Sequence, residues 1–322
     1  MKQLQSLQDQ VNLALETLEL PNQPSLLYDP ISYTLSNGGK RMRPLLVLMG
    51  CKVFKDDISQ AIHPAIGIEV FHNFTLLHDD IMDNAPIRRG KPAVHSKWNS
   101  NIAILSGDAM MILAYQELCK TDTSVLPEVL KVFNKTALEV CEGQQLDMDF
   151  ETAENVSIAD YINMIRLKTA VVLGGGLKVG AIIGKADAQQ AELLYQFGLN
   201  VGIAFQLQDD ILDVYGESQK VGKQKGGDII SSKKTFLLLK AVELADEKQA
   251  NSLKKWLTSD SELEKVKAVT EIYNQLEIRQ LAEARMWDYY NKGIASLDQI
   301  KGNAEWVETL RTFSEKLMHR ES

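Results

Sequence analysis

Phe74-Thr75-Leu76-Leu77-His78-Asp79-Asp80-Ile81-Met82-Asp83 closes a long apolar run, and Phe205-Gln206-Leu207-Gln208-Asp209-Asp210-Ile211-Leu212-Asp213 closes another in nearly the same words. In each, the residues leading up to the acids have helical spacing. The first and last aspartates, four residues apart, therefore project from one face about one turn, roughly 6 Å, from each other. Acid this dense repels itself. Aspartate is also a poor helix former, and a helix C-terminus carries the negative end of the dipole, so two such copies run against local preference twice. A local rule broken twice in the same way marks function. Facing each other, the two ends would hold six carboxylates around one small volume, tolerable only with strong positive charge between them. Hard divalent cations answer that need, magnesium above all, because it keeps waters and shares its shell with substrate phosphates.

Outward from these two stretches the chain reads as helix almost throughout. Its last proline is Pro127 of 322 residues, and apolar residues recur at three and four rather than two. The pattern predicts helices over 3–19, 25–37, 43–54, 60–83, 98–119, 125–149, 157–184, 187–215, 233–246, 260–292 and 304–319. No Ser/Gly/Pro-rich linker or shift in composition divides the sequence, so a single all-α domain over 1–322 is expected.

Composition bounds the function. With 45% hydrophobic and 24% charged residues the chain is ordinary globular protein, and a formal net charge of -8 argues against a nucleic-acid partner. Cys51, Cys119 and Cys141 are odd in number and widely spaced, which suggests neither a disulfide frame nor zinc, and a reducing cytoplasm suits them. The first twenty residues are amphipathic at Leu4, Leu7, Val11, Leu15 and Leu18, unlike a signal peptide. The longest apolar stretch, 169–184, is interrupted by Lys178 and glycines and is too short to span a bilayer.

Three connections carry cations. Asn37 to Pro44 stops one helix with Gly38-Gly39 and starts the next with Pro44, with Lys40, Arg41 and Arg43 between. Residues 84–97, after the first acidic motif, contain Arg88-Arg89-Gly90-Lys91, and residues 216–232, after the second, contain Lys220, Lys223 and Lys225. Cationic loops beside acidic helix ends suit a site that binds both metal and phosphate.

With these segments in view the chain resembles the trans-prenyl diphosphate synthases (polyprenyl synthetases), which elongate allylic diphosphates with isopentenyl diphosphate. The resemblance rests on GGKRMRP at 38–44, HDDIMDNAPIRRG at 78–90, LKTA at 167–170, FQLQDDILD at 205–213 and GK at 222–223, in the family's order. It implies the all-α isoprenoid synthase helical bundle around a deep central cavity, three magnesium ions per site and a homodimer formed through helices near the first motif. It also implies roles. Asp79, Asp83 and Asp209 are carried over as magnesium ligands, and Asp80, Asp210 and Asp213 complete the metal set by orienting waters or neighbouring side chains. Arg88, Lys168 and Lys223 are assigned to the allylic diphosphate, and Lys40, Arg43 and Arg89, with His72 as a donor, to isopentenyl diphosphate. Lys233 is a further substrate-binding cation, and Thr169 and Gln206 place a hydroxyl and an amide near the reacting carbon; beyond about residue 250 the match is weak, and Arg320 there either closes over substrate or is simply solvated. The family commonly has Gly where this chain has Ser232, which leaves the conformation before Lys233 open.

Product length should follow from what blocks the cavity floor. Thr75 and Phe74 lie roughly 6 and 7.5 Å below Asp79 by helical rise, and Phe71 deeper. An aromatic at Phe74 with Thr75 beside it goes, in the family, with the twenty-carbon product, so geranylgeranyl diphosphate is expected, with farnesyl diphosphate the alternative. A terpene cyclase would share the acidic motif but have no use for Lys40, Arg43 and Arg89. An inactive partner subunit would be expected to have lost aspartates, and both motifs here are whole.

Overall fold

A computed structural model describes residues 2–216 and 226–319, so Lys220, Lys223, Lys225 and Arg320 lie outside the described residues. The first helices are α1 (Lys2–Glu16), α2 (Ser25–Ser36), α3 (Met42–Lys52), α4 (Ser59–Met82), α5 (Val94–Lys97), α6 (Ser100–Leu118) and α7 (Leu126–Thr152). A small hairpin of β1 (Ile87–Arg88) and β2 (Lys91–Pro92) sits between α4 and α5 in sequence. Next come α8 (Ile158–Ile165), a π turn (Arg166–Ala170), α9 (Val171–Ile183), α10 (Ala188–Tyr215) and α11 (Gly227–Ile230). The chain ends with α12 (Phe236–Leu244), α13 (Glu247–Leu257), α14 (Glu262–Gln275), α15 (Ile278–Leu297) and α16 (Ala304–Met318). The class is all-α, as the periodicity predicts, and no helix among the described residues is long and apolar enough to cross a membrane.

The residues gather into two compact units. Met1–Phe133, Gly176–Glu192 and Gly302–Trp306 form the first, and Asn134–Gly175, Leu193–Lys301 and Val307–Ser322 the second. In the first, α4 is the central element, packed against α1, α3 and α6. Ala61, Ala65, Ile68, Phe71 and Leu77 are buried along it. Gly67 lets α6 come close, since a Cβ there would lie 2.9 Å from the Ala114 carbonyl oxygen. Deeper in this core the rings of Phe71 and Phe133 meet edge-on with centroids 5.2 Å apart, and Phe133 meets Tyr115 the same way at 5.1 Å. Phe71 and Phe133 are fully buried, each worth about 1.5–3 kcal/mol against exposure.

In the second unit the run α8, π turn, α9 departs from the continuous helix expected over 157–184. The π turn is wedged between two glycines on other helices. A Cβ at Gly143 of α7 would fall 2.2 Å from the Lys168 amide nitrogen, and one at Gly202 of α10 would fall 2.7 Å from the Ala170 Cα. Backbone contact on two sides accommodates the extra residue of a π turn, a feature that recurs at functional sites. The expected helix over 260–292 also divides. Glu277 takes φ 54, the left-handed region, and separates α14 from α15 without a glycine or proline to announce it. The stretch expected to be a connection after residue 246 contains α13, which starts with a reciprocal capping box between Asp246 and Gln249.

Candidate active site

In the first unit, α4 delivers the first acidic motif at its C-terminal end, where the Asp83 N–H still bonds to the Asp79 carbonyl at 2.9 Å. Asn84 then turns the chain at φ 50, and the hairpin reverses it through Arg89 and Gly90, both at positive φ as a two-residue primed turn demands. The reversal brings Arg88 back onto the aspartates. Its Nε donates to Asp80 Oδ1 at 2.8 Å, its Nη2 bonds the same oxygen, and Nη2 lies 3.6 Å from Asp79 Oδ2. Asp80 is buried, and burial pushes its carboxyl above the usual range despite Arg88. Asp79 is half-buried and Asp83 exposed. The middle aspartate is thus anchored inward, and the outer two are the more accessible.

The same unit assembles a cationic cluster. Arg41, at φ 47, is buried and bonds Glu69 at 2.7 Å and the Leu35 carbonyl at 2.5 Å, while Asn73 donates to the same Glu69 carboxylate at 3.0 Å. Arg41 is therefore tied down as a structural strut. Arg89 bonds the Gly38 carbonyl, and its guanidinium lies against Gly39, where a Cβ would come within 2.8 Å of it; Gly39 is at φ 128, a second reason for glycine. Burial pulls Arg43 down to about 10, partly opposed by Glu69, and its Nε is buried with no hydrogen-bond partner among the described residues. His72, half-buried on α4, is held well below its ordinary value, first by desolvation and then by Arg43, Arg89, Arg88 and Arg41. Four guanidiniums around a neutral imidazole, with an unused donor on one, make a receptive place for an anion. Lys40 is exposed at the head of this segment. Farther down α4, Phe74 is half-buried, 6.0 Å from the Phe71 ring and 4.8 Å from His78, and Thr75 turns its hydroxyl to the His72 carbonyl at 2.8 Å.

In the second unit, α10 ends in the second motif. Asp210 is buried and accepts from the Tyr161 hydroxyl of α8 and from the Phe236 N–H at the start of α12. Burial, with Asp228 nearby, pushes the Asp210 carboxyl well above the usual range. Asp213 Oδ2 accepts from the Asp228 N–H at 3.0 Å, and its carbonyl from the Gly226 N–H at 2.8 Å. Asp209 is half-buried. The pattern repeats the first motif: the middle acid is held inward and the outer two are less buried. Lys168, in the π turn, bonds Asp147 of α7 at 2.7 Å. Thr169 shares that turn and Gln206 lies on α10 one turn before Asp210, both half-buried. Lys233 is exposed, while Lys234 reaches the Phe150 carbonyl. Lys223 lies outside the described residues.

Asp147, Tyr161 and Asp228 join the site without having been singled out in the sequence. The capping of Asp210 by a tyrosine 49 positions away leaves no local signal, and Asp147 reads as one more polar residue on a helix. Among the described residues no three acidic, histidine or cysteine side chains converge into a closed metal cage. Carboxylates set one turn apart on a helix end suit a cation that takes its remaining oxygens from water and substrate, which is magnesium's habit.

The sequence profile of the polyprenyl synthetase family matches residues 24–276. A geranylgeranyl diphosphate synthase of Methanosarcina mazei is 35% identical over 311 residues, covering 96% of this chain and 91% of that protein. A crystal structure of a geranylgeranyl pyrophosphate synthase superposes with TM-score 0.94 at 43% identity, covering 99% of both chains. The geranylgeranyl pyrophosphate synthetase of Pyrococcus horikoshii superposes with TM-score 0.92 at 33% identity over 99% of this chain and 98% of that one. On a profile match over most of its length and relatives aligned nearly end to end, the chain belongs to the polyprenyl synthetase family.

Proposed function

We propose that the chain is a short-chain trans-prenyl diphosphate synthase that condenses isopentenyl diphosphate head to tail with allylic diphosphates and ends at geranylgeranyl diphosphate. The observation that carries this reading is the cationic cluster around His72. It gives a second diphosphate a place of its own, which an enzyme that only cyclises one diphosphate does not need. The names of the relatives favour the twenty-carbon product. In this reading residues 1–322 work as one catalytic domain.

Asp79, Asp83 and Asp209 would hold magnesium, three ions by the family's habit, with Asp213 beside them and Asp80 and Asp210 fixing the helix ends. Bound there, magnesium neutralises the charge that grows on a departing diphosphate. Arg88, Lys168, Lys223 and Lys233 bind the allylic diphosphate. Lys233 belongs to this group because its segment is tied through Asp228 to Asp213. Arg43 and Arg89 hold isopentenyl diphosphate with Lys40, and His72 donates to it. As the allylic carbon–oxygen bond breaks, its electron pair leaves on diphosphate and an allylic cation remains. The isopentenyl double bond attacks that carbon, and the proton lost from the product passes to the departing pyrophosphate. Thr169 and Gln206 present oxygen dipoles toward the cation, and apolar walls keep water from quenching it. Phe74 ends the space available to the growing chain.

Two copies associate through the outer face of α6, where Ile104, Leu105 and Ile112 are exposed. A reducing compartment such as the cytoplasm suits the three thiols, all free, of which buried Cys51 is pushed up to about 11.

The purified protein, incubated with magnesium, labelled isopentenyl diphosphate and each of dimethylallyl, geranyl and farnesyl diphosphate, should give alcohols ending at twenty carbons after dephosphorylation and chromatography. An end at fifteen would move the floor toward the mouth. No incorporation from folded protein with any starter would overturn the synthase reading.

A further inference from the structure

Lys265, on α14, is only 4% exposed, and among the described residues its bonds run to neutral oxygens and none to a carboxylate. Its ammonium donates instead to three neutral oxygens: the Ile230 carbonyl at 2.8 Å, the Ser232 hydroxyl at 2.8 Å and the Leu257 carbonyl at 3.0 Å. Three donors meet three acceptors, so the group is fully satisfied. Burying a charge without a counter-ion is nevertheless costly, and a neutral side chain would pack there more cheaply. What the ammonium does gain is a fixed turn. Ser232 has φ 53, a left-handed conformation that disfavours any residue with a side chain, and its hydroxyl both accepts from Lys265 and donates to the Leu257 carbonyl at 2.9 Å.

The neighbouring bonds show what the turn holds. The Ser232 N–H bonds the Ile229 carbonyl at 3.0 Å and the Lys233 N–H bonds the Asp228 carbonyl at 2.9 Å. Asp228 in turn donates to Asp213 of the second acidic motif. Val266, next to Lys265 on α14, lies against Gly226, where a Cβ would come 2.8 Å from it. One turn of α14 thus secures both ends of the segment 226–232. At a left-handed position that glycine would take without strain, the serine adds a hydroxyl bonded to the buried ammonium of Lys265.

We propose that Lys265 is a positioning residue, which fixes the left-handed turn at Ser232 and so presents Lys233 to the substrate diphosphate. The inference rests on the reading of Lys233 as a diphosphate-binding residue. Lys265→Met keeps the aliphatic stem and removes the charge. It should raise KM for the allylic diphosphate on the order of fivefold, the equivalent of releasing one left-handed residue, with kcat changed less than about twofold. Adding Ser232→Gly to Lys265→Met should lower that KM again by roughly threefold or more, because glycine takes positive φ without a tether. A general loss of packing would not be repaired by glycine. Should Lys265→Met fail to fold, Ser232→Ala compared with Ser232→Gly makes the same test with Lys265 intact, and alanine should have the higher KM by about threefold. An unchanged KM in folded Lys265→Met, no rescue by glycine, or equal KM for the alanine and glycine variants would each overturn the proposal. Lys233→Ala separates the two levels: a normal KM there removes the role of Lys233 and the proposal with it. A raised KM beside a normal one in Lys265→Met removes the role of Lys265 alone.

Discussion

His72 carries the sign of its surroundings. Desolvation and four arginines hold its imidazole neutral well below the pH at which an exposed histidine protonates. In the unfolded chain its pKa returns to about 6.5. As pH falls below that value the unfolded state takes a proton that the folded state refuses. The folded state therefore loses stability with falling pH, by at most about 1.4 kcal/mol per pH unit from this residue. The depressed folded pKa means that this contribution is complete above the unfolded value and is lost downward from it. His72→Gln keeps a hydrogen-bond donor and removes the titration. Between pH 7.5 and 5 its urea midpoint should fall less steeply than that of the wild type, and parallel slopes would show that His72 titrates in the folded protein as it does in water. Arg43 and Arg89, two of the arginines that depress the imidazole, are also the two proposed to hold isopentenyl diphosphate, so the pH response and the affinity for that anion should report one cluster.

At the scale of elements, the ladder of rings from Phe74 through Phe71 and Phe133 to Tyr115 joins α4, α7 and α6 into one wall. Phe74 can act as a floor only if what lies behind it does not yield, and behind it stands Phe71, fully buried and itself backed by the fully buried Phe133. Phe133→Leu removes ring volume from the back of that wall, for about 1 kcal/mol of stability. It should add product longer than twenty carbons, seen by chromatography, and a product pattern identical to wild type would mean that Phe74 stands without support. None of this ladder could be read beforehand beyond α4, because Phe133 and Tyr115 meet it by packing between helices. Within α4 the periodicity and the acidic end were enough to place Phe71, Phe74 and Asp79 in order. The π turn at Lys168 was hidden for a related reason: its cause is the glycine backbones of α7 and α10, not anything in Arg166 to Ala170. The break at Glu277 was hidden because a left-handed glutamate has no sequence signature. α13 and the hairpin were missed although both left local marks: Asp246 and Gln249 spell a capping box in a stretch expected to be a connection, and Arg89-Gly90 sits at the turn of what was expected to be only a cationic loop.

For the whole molecule, the exposed face of α6 is the feature that one copy of the chain does not explain. Ile104, Leu105 and Ile112 are 44%, 59% and 59% exposed and fall on one side of the helix, with Asp108 among them. An apolar stripe of this kind on a chain of net charge -8 suits a second copy better than a charged partner. The stripe is also joined to the chemistry. His78, next to Asp79, bonds the Ile104 carbonyl at 3.1 Å and packs so closely on α6 that a Cβ at Gly107 would fall 2.2 Å from its ring. A partner that holds α6 in place therefore holds the end of α4. Leu105→Glu with Ile112→Glu puts two like charges from each copy into the interface, which costs several kcal/mol when they meet. Light scattering should then give the 36.0 kDa of a single chain where the wild type gives twice that. The variant should also lose turnover, because α6 no longer braces His78. A wild type that scatters as a monomer would dismiss the dimer outright, and a monomeric variant with full turnover would show that α4 keeps its end in place without help from a second copy.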